Sequence, residues 1–134
     1  MSGPVKQEPS GSLHKRSLRN LGPSGPRGCQ RERESAIVSA CMLVLSRAGA
    51  LVQRNNSGLL LGANGRRVRA AMPGAADIIA CYHGVFLAVE CKTRRGVQSD
   101  AQRRYQAAVE LAGGIYVVIR DIEDLREAIA AIGC

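Results

Sequence analysis

The sequence predicts an α/β fold, and three observations predict it. Helical and strand periodicities follow one another in the order α, β, (β), β, β, α, β, α. Two apolar runs near the middle are separated by His83-Gly84, a two-residue hairpin turn. The second of these runs is apolar on both faces, and a strand of that kind is normally covered on both sides. At 134 residues and 46% hydrophobic content, the chain is long enough for one domain with its own core.

Residues 1–30 are rich in Gly, Pro, Ser and basic side chains, with Lys6, Lys15, Arg16, Arg19 and Arg27 against Glu8. They predict a disordered basic arm, either an inert tail or a non-specific phosphate tether, and the charge favours the tether. The folded domain is expected over 31–134. A helix over 31–48 places Ile37, Val38, Cys41 and Leu45 on one stripe, with Glu34 on the same stripe and Gly49 to stop it. A strand over 50–54 follows, ended by the turn-forming run Asn55-Asn56-Ser57-Gly58. Segment 59–71 contains Gly62, Asn64 and Gly65, then Arg66, Arg67, Val68 and Arg69, and reads as a loop leading into a short basic strand.

After Pro73-Gly74 the hairpin strands span 77–82 and 85–92, and a basic loop covers 93–98. A helix over 100–112 carries Ala101, Tyr105, Ala108, Val109 and Ala112 on one face, and Gly113-Gly114 ends it. A buried strand over 115–119 precedes a last helix, capped by Asp121, with Ile122, Leu125, Ile129 and Ile132 facing inward. No internal repeat is present.

Aromatic residues make up only 3% of the chain, so the core is aliphatic and base-stacking platforms for single strands are disfavoured. The net charge of +8 points to a polyanionic partner, with nucleic acid first among them. Five cysteines, at positions 29, 41, 81, 91 and 134, form no CxxC pair, which argues against a disulfide framework and a zinc site. Cys41, Cys81 and Cys91 lie among apolar neighbours and read as small core residues in a reducing compartment. The opening MSGPVKQEPS lacks the apolar stretch of a signal peptide, and no run has the length of a membrane span. The expectation is an intracellular protein, cytoplasmic or nucleoid-associated, with no membrane partner.

The hairpin register carries the chemistry. If His83 and Gly84 form the turn, Tyr82 pairs with Val85, and counting outward sets Asp77 opposite Glu90. Directly opposed side chains have Cβ atoms about 5 Å apart, so two carboxylates there repel unless something positive lies between them. Alternation puts Phe86, Ala88, Glu90 and Lys92 on one face and Val85, Leu87, Val89 and Cys91 on the other. Glu90 therefore lies at the edge of a core, where an unpaired carboxylate is costly. A hard divalent cation such as Mg²⁺ removes that cost, with Asp77, Glu90 and the backbone carbonyl of Cys91 as ligands. Lys92 would meet the attacked phosphate or the attacking water, a set of parts suited to phosphodiester hydrolysis. The bland alternative is a Glu90–Lys92 salt bridge on a solvated strand end. The opposed Asp77 favours the catalytic reading.

Asp77 followed by Glu90-Cys91-Lys92 at the end of a hairpin resembles the PD-(D/E)xK nuclease superfamily, and within it the virus-type replication-repair nuclease (VRR-NUC) family. The resemblance covers roughly residues 32–130: a Glu-bearing first helix, MPGAADIIA, FLAVECKT, a Ser-x-x-Gln helix start and AGGIYVVI. Ala76 stands where the motif usually has proline. The resemblance implies a restriction-endonuclease-like αβββαβ core with a mixed central sheet, Mg²⁺ or Mn²⁺ as cofactor, and cleavage of DNA. By similarity to Holliday-junction resolvases, it also implies a homodimer acting on branched or four-way DNA.

The resemblance makes Glu34 a further metal ligand or the holder of a water belonging to the ion, whereas the helix dipole alone explains a first-turn glutamate. Glu32 is a poorer candidate. The resemblance places Gln102 near the catalytic Lys92 and the scissile phosphate, while Ser99 and Gln102 also form a capping box, so both roles stand. Arg54, Arg67, Arg69, Arg94, Arg95, Arg103 and Arg104 are candidates for DNA phosphate contacts, although any single one also reads as a solvated surface charge. His83 belongs to the turn at the far end from Glu90, and Tyr105 and Tyr116 read as core.

Overall fold

The computed structural model describes residues 26–56, 58–69 and 71–134. In chain order the elements are α1 (Pro26–Arg47), β1 (Leu51–Arg54), β2 (Leu59–Leu61), β3 (Arg67–Arg69), β4 (Ile78–Tyr82), β5 (Val85–Cys91), α2 (Asp100–Leu111), β6 (Ile115–Ile119) and α3 (Ile122–Gly133). The main sheet has the order β1-β4-β5-β6. Its first two pairings are antiparallel and β5–β6 is parallel, with α2 forming the crossover, so the sheet is mixed.

The central hairpin has the expected register, from Tyr82 opposite Val85 to Ile78 opposite Val89. His83 (φ 48°) and Gly84 (φ 76°) are both left-handed, as a two-residue turn matched to strand twist requires. Alternation along β5 then feeds two cores. Leu87, Val89 and Cys91 join Ile78, Ala80 and Ile119 beneath α1, which supplies Val38, Cys41 and Leu45, and α3, which supplies Leu125. On the opposite face Ala88 meets Ala76, Tyr116 and Val109 of α2. The stripes read from periodicity on α1 and α3 are the ones that pack, whereas of the face read on α2 Val109 is buried, Ala101 and Tyr105 are half-buried, and Ala108 and Ala112 are exposed.

Helix α1 stops as predicted. The Gly49 N–H donates to the Ser46 carbonyl and the Ala50 N–H to the Leu45 carbonyl, with Gly49 at φ 89°. Its start differs: the helix begins at Pro26, inside the segment expected to be a disordered arm. Proline suits a first helical turn, and the residues after it carry no apolar periodicity by which a helix is read from sequence. The remainder of that expected arm, residues 1–25, lies outside the described residues.

Two further expectations are corrected. Segment 59–71 contains the expected short basic strand, β3, but 59–61 is a strand rather than loop: β2 and β3 pair as a separate ribbon, Leu60 opposite Val68, around a turn closed by Gly62 N–H to the Arg66 carbonyl at 2.8 Å. Gly62, Asn64 and Gly65 are that turn, and strands of three residues are too short to display a period. Cys81 is exposed rather than core. It shares the α2 face of the sheet with Leu51 and Phe86, its partners on β1 and β5, and α2 does not cover this end of that face. Cys41, Cys81, Cys91 and Cys134 are free thiols, and no described helix is long and apolar enough to cross a membrane.

Candidate active site

The register that closes the hairpin brings the carboxylates together. Asp77 immediately precedes β4, and its Oδ2 accepts a hydrogen bond from the Cys91 N–H at 2.8 Å. The main chain of Cys91 is therefore at the site while its side chain lies in the core beneath α1. Glu90, one residue earlier and on the other face, is only 2% exposed. Lys92 Nζ lies 2.9 Å from Glu90 Oε1. The salt bridge that alternation allowed does form, but on a buried Glu90 and a half-buried Lys92 rather than on a solvated strand end.

Gln102 forms the expected capping box and also reaches Glu90. The Ser99 hydroxyl accepts from the Gln102 N–H, and the Gln102 side-chain oxygen accepts from the Ser99 N–H, a capping box that starts α2. Its Nε2 donates to Glu90 Oε1. The cap thus fixes the amide in the orientation that reaches the carboxylate. Gly74 sets how closely this helix end approaches: at φ 78°, a Cβ there would fall 2.2 Å from the Ala101 carbonyl oxygen.

Two contacts that brace the site have no signal in the sequence. Asn55 donates from its N–H to the Asp77 carbonyl at 2.8 Å and from Nδ2 to the Ala76 carbonyl at 3.0 Å. Arg120 Nη1 donates to the carbonyls of Thr93 and Gly96, both at 2.7 Å. Gly96 lies against the stem of Lys92, so Arg120 holds the turn that confines the lysine. Only the parallel β5–β6 pairing makes Arg120 a neighbour of residue 93.

Lys92 and Gln102 both converge on Glu90 Oε1, leaving Oε2 buried without a hydrogen-bond partner. Burial pushes the Glu90 carboxyl up to about 7, and the charge of Asp77 pushes the same way, against Lys92. The charge of Glu34, half-buried on α1, adds to this rise. Among the described residues no three His, Cys, Asp or Glu are gathered closely enough to hold an ion by themselves. Mg²⁺ takes one or two carboxylates and completes its shell with water and substrate phosphate. The buried, unpartnered Oε2 of Glu90 fits such an ion.

A groove of about 670 Å³ runs between α1 and the turn after β5, lined by Arg33, Arg94, Arg95, Arg120, Thr93 and Ile37. Arg33 and Arg120 were not among the predicted phosphate contacts. Arg54 is exposed at the end of β1, opposite Ile78, and Arg67 and Arg69 are exposed on β3. Arg103 is exposed and paired with Asp100 at 2.8 Å, and Arg104 is exposed one residue on. His83 lies at the opposite end of the hairpin, edge-on to Tyr82. Tyr116 is in the core as read, edge-on to Tyr105, and its hydroxyl is buried without a partner.

No protein-family model matches the chain, and no curated protein does. A solved structure described as a VRR_NUC domain is similar in fold, with a TM-score of 0.54 at 20% identity, over 73% of this chain and 95% of that one. The chain has the α/β fold of a VRR_NUC domain, a mixed four-stranded sheet flanked by helices.

Proposed function

We propose that the protein is a divalent-metal-dependent endonuclease that hydrolyses DNA phosphodiester bonds. The observation that carries this reading is the arrangement around Glu90: a buried carboxylate whose Oε1 is held by Lys92 and Gln102, whose Oε2 has no hydrogen-bond partner, and which feels the charge of Asp77. Asp77 and Glu90 hold Mg²⁺ or Mn²⁺, with the Cys91 carbonyl as a third donor and Glu34 binding a water nearby. The bound ion supplies Lewis-acid polarisation of the phosphate and eases deprotonation of the attacking water. Lys92 neutralises charge that grows on the phosphate as water attacks phosphorus and the bond to the leaving sugar oxygen breaks. Gln102 keeps Glu90 oriented, and the Cys91 N–H does the same for Asp77.

Arg94 and Arg95, with Arg33 across the groove, provide a track for the substrate backbone, and Arg54, Arg67, Arg69 and Arg103 add further phosphate contacts. By the resemblance, the substrate is branched DNA and the active form a homodimer. The row Leu51–Cys81–Phe86 is an apolar patch that such a dimer would cover.

The test is cleavage of labelled four-way junction, flap, duplex and single-stranded DNA with Mg²⁺, Mn²⁺ or EDTA, by wild type, Glu90→Ala and Lys92→Ala. Metal-dependent cutting lost in both variants supports the nuclease, and paired symmetric cuts in the junction support a resolving dimer. Binding of every DNA without cutting by wild type makes the protein a DNA-binding module instead. Light scattering at the mass of one 14.3 kDa chain, with and without DNA, would remove the dimer.

A further inference from the structure

The β2–β3 ribbon is the part of the described molecule that the catalytic arrangement does not use. It joins the main sheet nowhere, since its two strands form a sheet of their own. All of β3 is exposed, and Leu60, Leu61 and Val68 are 60%, 75% and 54% exposed. An isolated two-stranded ribbon is marginal in water, and large apolar side chains left in solvent on it add to the cost.

Its position is specific. β1 ends at Arg54, opposite Ile78, so the chain leaves the sheet beside Asp77 and returns at Asp77 itself. The two bonds from Asn55 to the carbonyls of Ala76 and Asp77 close the base of this excursion. The ribbon is therefore rooted at the carboxylate end of the sheet. Residues 55–76 contain no Asp or Glu, and their only charges are Arg66, Arg67 and Arg69. Pairing sets Leu60 and Val68 on one face of the ribbon and Leu61 and Arg67 on the other.

We infer that this ribbon is a DNA-engaging arm that enters a groove of duplex next to the cleaved phosphate, an inference that rests on the nuclease reading. A major groove admits a two-stranded ribbon, and the acid-free strands meet a polyanion without repulsion. Arg66, Arg67 and Arg69 take phosphates flanking the groove, while Leu60 and Val68 meet base edges and sugars. A second copy of the chain suits the surface less well, because pairing ribbon against ribbon brings like charges together.

The experiment uses the full chain with Glu90→Gln, so that binding is read without cleavage, and measures anisotropy of a labelled duplex from 50 to 200 mM salt. Arg67→Ala/Arg69→Ala is expected to weaken binding about tenfold at 0.1 M salt and lower the salt slope by about two. Leu60→Ser/Val68→Ser is expected to weaken binding without changing that slope. Circular dichroism of both variants checks that the sheet is intact. Parent-like binding by both folded variants overturns the arm, as does a change in oligomeric mass with unchanged DNA affinity, which assigns the ribbon to a second copy. Failure of wild type to cut any DNA, with ribbon variants still losing affinity, removes the nuclease and leaves the arm standing.

Discussion

At the scale of single residues, Glu90 is the group on which stability and chemistry conflict. Its folded pKa, near 7, lies above the ordinary carboxylate value, so the folded state holds a proton that the unfolded state releases. Stability from this group is therefore fully present below about pH 4.5 and is lost as pH rises through 7. In the metal-free protein the loss is expected to be roughly 3 kcal/mol. Urea titrations from pH 4.5 to 8 in EDTA should show that decline, and Glu90→Gln should flatten it. Mg²⁺ should raise the melting temperature more at pH 8 than at pH 5, and equal shifts at both would mean that the ion does not bind this carboxylate. Lys92→Met is expected to lower cleavage by about 10²–10³-fold, the usual loss when a charge-stabilising group at a reacting centre is removed, while keeping the fold.

At the scale of elements, the start of α2 joins folding to function through one side chain. Ser99→Ala removes the cap and should cost about 1 kcal/mol in urea unfolding. It should leave cleavage largely intact, because the Ser99 main-chain N–H that anchors the Gln102 amide oxygen survives the substitution. Gln102→Ala, which removes the bond to Glu90, should reduce cleavage, and cleavage equal to wild type in that variant would confine Gln102 to capping. Gly74→Ala forces both a left-handed alanine and a Cβ into the Ala101 carbonyl. A loss of about 1–3 kcal/mol from the strained conformation alone is expected, and denaturant unfolding measures it. Neither effect depends on metal.

At the scale of the whole molecule, the carboxylate end of the sheet is also the end from which the ribbon projects and beside which the arginine-lined groove runs. If six of the exposed arginines neutralise phosphates, affinity for duplex DNA should fall about a thousandfold between 50 and 200 mM salt. Anisotropy titrations over that range read the slope, and a fall of less than tenfold would rule out a binding mode built on backbone charge.

The sequence by itself determined the hairpin, its register and hence the meeting of Asp77 with the Glu90–Lys92 strand, because a two-residue turn leaves one pairing and alternation then assigns each face. It also determined the capping box of Gln102, since Ser-x-x-Gln is a local pattern, while the expectation that this side chain lies near Lys92 came with the resemblance. The early start of α1, strand β2 and the exposure of Cys81 were not legible, because a helical start without apolar spacing, a three-residue strand and the reach of a covering helix leave no period. Only the tertiary structure decided that Glu90 Oε2 is orphaned, that Asn55 ties down Asp77, and that Arg120 holds the turn over Lys92. Each depends on segments distant in sequence meeting at one edge of a mixed sheet, a matter of crossover and packing that local patterns do not encode.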